Sequence, residues 1–574
     1  MYWIAPLILW FIFFVPVQTN NNHNVLTRGY FRPPLDGRLA LSGSFGEIRT
    51  GHFHSGLDFR TGGVEGRKIF ASAAGNIVRV RVSPVGFGKA LYIEHENGFT
   101  TVYAHLRDFI PEIRQYVINE QYRRKSFEVD LYPETGLFRV MKGDLIGWSG
   151  NSGSSGGPHL HFEIRQTDGQ IPLNPINFGI PVKDEVAPVI QSLMIYPEDD
   201  FSSINNIPQP QRFTVAQQGK HYSLSLKHPI VVSGKVSFGV RAYDLHNNNN
   251  LRNGINTVKV FADDRLLFHY HIEKFSFANA RFVNAVIDYE ELVRNNRRYI
   301  RTRKLESNPL NIYPTTENNG IIDFSTLGTS TIRIVVGDSH ANQSLLTFAV
   351  AGKPASEAPL HVRDIAGKRW FNHKKANRFE KDGLKIALPE GSLYEDLWFQ
   401  TTSTPGETKS LSKVYQIGNR FVPVHRPYRL SISASGIAER LLSKTLIARR
   451  TDQGWEAEGG VAENGWIVAN VREFGEFTLM TDTIPPIIKP LNLQNRMRVE
   501  LADTLRFSIN DEFSGIGNYE GTLNGNWILM EHDPKNNLLF YIVDHKSADG
   551  ENPLRLMVED NRGNVATFQT TVLR

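Results

Sequence analysis

The 574-residue chain contains no cysteine. That excludes a disulfide framework, a thiol nucleophile, a thiolate metal site and a lipid-modified N-terminal cysteine. Any metal must be held by imidazoles and carboxylates. Charge of one sign is also lacking: 64 Lys and Arg stand against 59 Asp and Glu, a formal net charge of +5. Spread over the whole length this is a weak field, so nucleic acid is not indicated as a partner. The densest basic stretch, Arg294 to Lys304 (RNNRRYIRTRK), reads as a solvated loop before it reads as a contact for an anionic polymer. Long hydrophobic runs are missing beyond the first residues. MYWIAPLILWFIFFVPVQ is just shorter than the ~20 residues a spanning helix needs, and a polar TNNNHN follows. Residues 1–20 therefore read as an export signal, and a membrane contact arises only if that segment is an uncleaved anchor.

What is present is the composition of a folded chain, 40% hydrophobic, 11% aromatic and 21% charged. Its length exceeds a single core, and ~150 residues per domain gives three to five domains. From Arg28 onward, short β-prone runs of period two alternate with glycine-bearing turns: KIFASAAG, NIVRVRV, KALYIEHENG, TTVYAHL. The exception is Asp108 to Ser126, which holds a helix. Two boundary phrases are alike, Asp184-Glu-Val-Ala-Pro188 and Asp482-Thr-Ile-Pro-Pro486. The segments they open also end alike: Asp338 precedes Asn342 as Asp560 precedes Asn564, and Gly254-Ile255 and Gly515-Ile516 lie between. This reads as a diverged repeat of two β-sandwiches, which resemble immunoglobulin-like or fibronectin-like domains of exported bacterial proteins (Ig-like). The expected fold is all-β, with a first domain over 28–182, sandwiches over 183–352 and 482–574, and another over 353–481.

Of the 18 His, four carry chemistry when taken with one aspartate. His54-Ser-Gly-Leu-Asp58 lies within TGHFHSGLDFRTGG, His105 within TTVYAHL, and His159-Leu-His161 within SGGPHLHFEIR. Residues two apart on a strand share a face, so His159 and His161 project together. Two imidazoles, one carboxylate and an open position make a usual catalytic zinc set. His54, Asp58 and one of the His-x-His pair supply it, and the remaining His serves as acid or base. HFHSGLDF, YAHL and GNSGSSGGPHLHFEIR resemble the three signature segments of the lysostaphin-type, or LytM-like, zinc endopeptidases. FGEIR, ASAAGNIVRV and KGDLIGWSGNSG extend the likeness across Leu41 to Pro175.

That resemblance implies an antiparallel β peptidase domain with His54, Asp58 and His161 as ligands of Zn2+. It implies His105 and His159 as the catalytic pair, ordering a zinc-activated water and moving its proton to the leaving amine. The implied substrate is peptidoglycan peptide, stem or cross-link, and the implied place is the bacterial periplasm or cell envelope. The C-terminal β domains would position the enzyme or bind an envelope protein. The alternative is a silent or regulated scaffold that binds wall peptide or activates another cell-wall hydrolase. One departure is the long insertion at 107–142, expected to form a cleft wall or a lid. Tyr103, two residues before His105, is an expected extra donor. His52 is a neighbour or substrate contact, His269-Tyr-His271 an ordinary strand, and His95 an exposed residue.

Overall fold

A computed structural model describes residues 29–574 apart from 227, 248–249, 327 and 355–364. The expected export segment at 1–20 lies outside the described residues. Among the described residues no helix is long and apolar enough to cross a membrane. Strand makes up 48% of the chain and helix 9%, so the fold is all-β.

The N-terminal runs form one eleven-stranded sheet. Its spine runs through β1 (Leu41–Gly43), β2 (Leu57–Arg60), β3 (Gly75–Val82), β4 (Lys89–Glu94), β5 (Phe99–Phe109), β6 (Leu145–Ser149) and β7 (His159–Gln166). The spatial order is β1-β2-β7-β5-β4-β3, with β6 on the far end of β5. Central β7 lies antiparallel between β2 and β5, placing His161 opposite Asp58 on one side and Ala104 on the other. Leu57, Phe59, Leu160 and Phe162 are at most 1% exposed, and each fully buried side chain of this size contributes roughly 1.5–3 kcal/mol. Their burial pins the register, because a one-residue slip would carry every polar side chain between them into the core.

The insertion has two parts. Helix α1 (Pro111–Arg124) starts on Pro111, whose ring suits the first helical turn, and stops at Lys125 in the left-handed region. It buries Ile113, Val117 and Gln121. The strand Val129–Leu131 then joins the sheet beside β3.

The second unit contains β8 (Val189–Pro197), β9 (Lys235–Leu245), β10 (Thr329–Gly337) and β11 (Gln343–Lys353). Its hydrophobic cluster is continuous with that of the first unit, with Phe275 packed against Phe45 and Phe53. Residues 377–481 form two five-stranded sheets around their own core. The last unit pairs a four-stranded with a five-stranded sheet. It contains β12 (Ile487–Pro490), β13 (Thr504–Asn510), β14 (Glu551–Asp560) and β15 (Val565–Leu573). The repeat seen in sequence has a common geometry. Val189 lies opposite Tyr243 as Ile487 lies opposite Asn510. The Asn342 amide donates to the Asp184 carbonyl and the Asp338 carboxylate, as the Asn564 amide does to Asp482 and Asp560.

The basic stretch is not simply a solvated loop. Arg301 and Arg303 turn inward onto Glu198 at 2.9 and 3.0 Å, and Arg301 also lies over the Tyr196 ring. The insertion packs against the last unit, through a Tyr122–Asp544 hydrogen bond and the Trp527 ring. Lys89 pairs with Glu531 at 2.9 Å beside this contact.

Candidate metal centre

Three donor atoms from two neighbouring strands and the turn before them converge below the surface. His54 Nε2 lies 3.0 Å from Asp58 Oδ1 and 3.0 Å from His161 Nδ1, and His161 Nδ1 lies 2.8 Å from Asp58 Oδ1. All three residues are at most 4% exposed. The cross-strand pairing of β2 and β7 supplies Asp58 and His161. The turn carrying His54 is held by paired backbone hydrogen bonds between His54 and residues 46 and 47.

The protons around this centre are assigned by its outer partners. His54 Nδ1 donates to the Ser44 carbonyl at 2.8 Å, leaving the Nε2 lone pair directed inward. Burial holds His54 neutral, its pKa lowered to about 4 despite the Asp58 charge. His161 Nε2 donates to Glu163 at 2.9 Å. Burial disfavours charge on His161, but Asp58 and Glu163 on its two sides raise it to about 9. A proton on Nδ1 therefore holds together two other donors that would otherwise face each other lone pair to lone pair. A cation that displaces this proton meets an Nε2, an Nδ1 and a carboxylate oxygen. Donors at ~2.0–2.1 Å around a tetrahedral ion stand about 3.3 Å apart, close to the separations here, so the residues fit such an ion.

His105 and His159 stand at the mouth of this centre, their rings 4.8 Å apart. His159 Nδ1 donates to the Gly157 carbonyl at 2.8 Å, and its Nε2 lies 3.4 Å from Asp58. His105 Nδ1 donates to the Ser152 carbonyl at 2.9 Å. Burial, with His161 and His159 nearby, lowers His105 to about 3. His105 has φ +59°, in the left-handed region that ordinary residues rarely adopt. The register between β4 and β5 shifts at this point.

The shift explains why Tyr103 is not an extra donor to the site. The bulge breaks strict alternation, so Tyr103 and His105 do not share a face. The Tyr103 hydroxyl is fully buried instead, between the Ser72 amide and Thr101 at 2.7 and 3.1 Å. His95 is also corrected: it is 3% exposed and hydrogen-bonded through both nitrogens to Ala74 and Thr101. His52 is exposed and bonds only the Thr50 carbonyl. His269 and His271 lie on a strand over Arg265–His271, away from the centre.

Several residues of the site escaped the sequence reading. Arg49 donates to Asp58 Oδ2 at 2.6 Å. Glu163, wholly buried, accepts from His161, Ser55 and Arg165. Its signal was available, since Glu163 stands two residues after His161 in HLHFEIR. Gly56 is required by close approach: a Cβ there would lie 2.3 Å from the Phe162 carbonyl oxygen. Gly153, at φ +72°, locks the loop before β7 against the turn at Gly86 and Gly88. That loop also carries a contact from the far end of the chain, where the Lys535 ammonium donates to the carbonyls of Asn151 and Ser155.

Comparison with known proteins gives two family matches. Peptidase family M23 matches residues 52–122, a span containing His54, Asp58 and His105 but not His159 or His161. A Zu5-like domain matches residues 368–482. The DD-carboxypeptidase/endopeptidase Mpg of Neisseria meningitidis serogroup B is 31% identical over 137 residues, 24% of this chain and 25% of that protein. The peptidoglycan DD-endopeptidase ShyA of Vibrio cholerae is 28% identical over 173 residues, 29% of this chain and 34% of that protein. The chain thus spans a quarter to a third of the length of these curated relatives. Among solved structures, the catalytic domain of lysostaphin from Staphylococcus simulans is 25% identical. It covers 24% of this chain and 87% of its own, with a TM-score of 0.18.

Proposed function

The N-terminal region of this chain is an M23 peptidase domain, and from that premise we propose that the protein is a zinc-dependent endopeptidase cutting the peptide stems or cross-links of bacterial peptidoglycan. The observation that carries the reading is the convergence of His54 Nε2, Asp58 Oδ1 and His161 Nδ1, within 3.0 Å of one another. Zinc bound there would act as a Lewis acid toward a carbonyl and lower the pKa of a water toward ~7. His54 and His161 present their nitrogens in orientations fixed by Ser44 and Glu163. His105 and His159 each hold Nδ1–H on a backbone carbonyl, so each turns Nε2 to the mouth of the site. One of these two nitrogens takes the proton of the attacking water and delivers it to the leaving amine. While it holds that proton the imidazolium stabilises the oxyanion of the tetrahedral intermediate, with the neutral second ring beside it.

The substrate class rests on the relatives, one named as a DD-carboxypeptidase/endopeptidase and one as a peptidoglycan DD-endopeptidase. A substrate of that class would put the protein in the cell envelope, where the C-terminal β units would position it or engage an envelope protein. A second reading, a regulated or silent scaffold, is favoured by the contact of Lys535 with the loop before His159. Digestion of purified peptidoglycan by the zinc-loaded chain, read by mass spectrometry, separates the two. The enzyme reading expects new amine ends, released ~10²–10⁴-fold more slowly by His159→Ala with zinc still bound. Zinc held by His54, Asp58 and His161 with no cleavage would give the site to the scaffold reading.

A further inference from the structure

The two repeated units carry an acidic triad at the same positions, and the first copy has something the second lacks. Asp184, Asp244 and Asp338 correspond to Asp482, Asp511 and Asp560 through the matched pairings Val189–Tyr243 and Ile487–Asn510. In both copies the last Asp caps a turn. Asp338 accepts from the amides of His340 and Asn342 and from the Asn342 side chain. Asp560 accepts from Arg562, Asn564 and the Asn564 side chain. That shared part is structural. The residues two positions after the second and third Asp differ: the later copy has Phe513 and Arg562, the earlier copy His246 and His340. Arg562 leaves the triad to donate to the Thr445 and Gly460 carbonyls. The two histidines stay, their rings 5.8 Å apart.

The earlier copy leaves four ligand atoms without hydrogen-bond partners among the described residues, where the later copy leaves one, Asp511 Oδ2. Asp184 Oδ2, Asp244 Oδ1, His246 Nδ1 and His340 Nδ1 are all buried and unpaired. The Asp184 side chain is 0% exposed and that of Asp244 2%. Asp184 Oδ2 faces His340 Nδ1 at 3.6 Å, too far for a hydrogen bond. His340 Nε2–H is committed to the Val182 carbonyl at 2.9 Å, so a neutral His340 directs a lone pair at a buried carboxylate. On the other side of Asp184, His246 Nε2 lies 3.1 Å from Asp244 Oδ2. Ligand atoms of Asp184, Asp244 and His246 lie within 4.8 Å of one another, as do those of Asp184, Asp338 and His340. Buried lone pairs facing one another are costly unless a cation lies among them.

We propose that Asp184, Asp244 and His246, with His340 facing Asp184 from its other side, form a second metal site for a borderline divalent cation of the zinc class. Two carboxylate oxygens and an imidazole nitrogen within 4.8 Å of one another suit such a cation, and the His340 lone pair aimed at Asp184 adds a nearby fourth donor. The site joins the segment leaving the peptidase unit, through Asp184 and Val182, to the ends of β9 and β10. Its role is to fix the second unit against the first. It stands independently of the catalytic reading.

Zinc retained by the full chain after equilibrium dialysis tests this, comparing wild type, His54→Ala, His340→Gln and the double variant. Two, one, one and zero ions per chain are expected. A Gln side chain can still donate to the Val182 carbonyl, and isosteric Asp244→Asn is a second probe should His340→Gln misfold. Cobalt substitution supplies a readout besides stoichiometry: tetrahedral d–d bands persisting in His54→Ala and lost when Asp244→Asn is added to it. One zinc in wild type and none in His54→Ala would overturn the second site while leaving the first intact. An unchanged count in both His340→Gln and Asp244→Asn would also overturn it. So would calcium binding at this site with no zinc, because the nitrogens would then have no role.

Discussion

Glu163→Gln is a substitution that alters no ligand and no proposed catalytic histidine, yet should damage both stability and metal binding. Glu163 is completely buried and accepts from His161, Ser55 and Arg165. Burial by itself would raise its pKa, but Arg165 and His161 bring it down to about 2 from an ordinary 4.5. A folded-state pKa below the unfolded one means stability present above pH ~4.5 and lost as pH falls toward 2. A shift of this size is worth roughly 3 kcal/mol at neutral pH. Removing one partner of a buried ion pair costs about 3–5 kcal/mol, in line with that figure. The neutral amide strands the Arg165 charge and gives His161 a weaker acceptor, so ring orientation and ligand basicity both suffer. Outer partners of this kind change metal affinity by about 10–100-fold. The expected outcome is a metal-free protein destabilised by roughly 3 kcal/mol in urea unfolding at pH 7, with zinc affinity down by about that factor in competition titrations. The wild-type loss of stability between pH 4.5 and 2 should be much reduced in the variant. An unchanged unfolding midpoint with zinc affinity within about twofold of wild type would refute the role assigned to Glu163.

Two further outcomes follow from contacts between units. Lys535 holds the loop immediately before His159 through the Asn151 and Ser155 carbonyls. Lys535→Glu should therefore raise the rate of digestion of intact peptidoglycan while zinc content stays constant, and a lower or equal rate would remove the contact from regulation. His425 stacks on Phe282 with centroids 4.1 Å apart and donates to the Tyr394 hydroxyl, which itself donates to the Arg281 carbonyl. Burial and then Arg281 lower its pKa to about 4. The ring stays neutral when folded and charges near 6.5 when unfolded, so stability falls as pH drops from 6.5 to 4. Discounting for its half-exposed position leaves about 1–2 kcal/mol, which His425→Phe should abolish. Parallel pH profiles for wild type and variant in urea unfolding would count against it.

How much could be read in advance depended on how local each feature was. His54, Asp58, His159 and His161 were legible because turn chemistry and strand alternation act over a few residues. Glu163 obeyed the same alternation and could have been read from it. Tyr103 was misjudged because a bulge at His105 interrupts alternation, and a left-handed non-glycine residue leaves little trace in sequence. His95 was misjudged because burial depends on what packs above a strand end, here Phe31 and the Thr101 hydroxyl.

By itself, the amino-acid order determined the all-β character, the His54, Asp58 and His161 set of one candidate metal centre and the likeness of the two Asp–Asn units. Each arises from periodicity or spacing within a strand or a turn. Only the tertiary structure decided that β7 lies between β2 and β5, and that Ser44 and Glu163 set the protons of the ligands. It also decided that Lys535 reaches the loop before His159 and that His246 and His340 face Asp184. These contacts join residues far apart in the chain, and their existence depends on the summed packing of whole sheets, which no short window of sequence encodes.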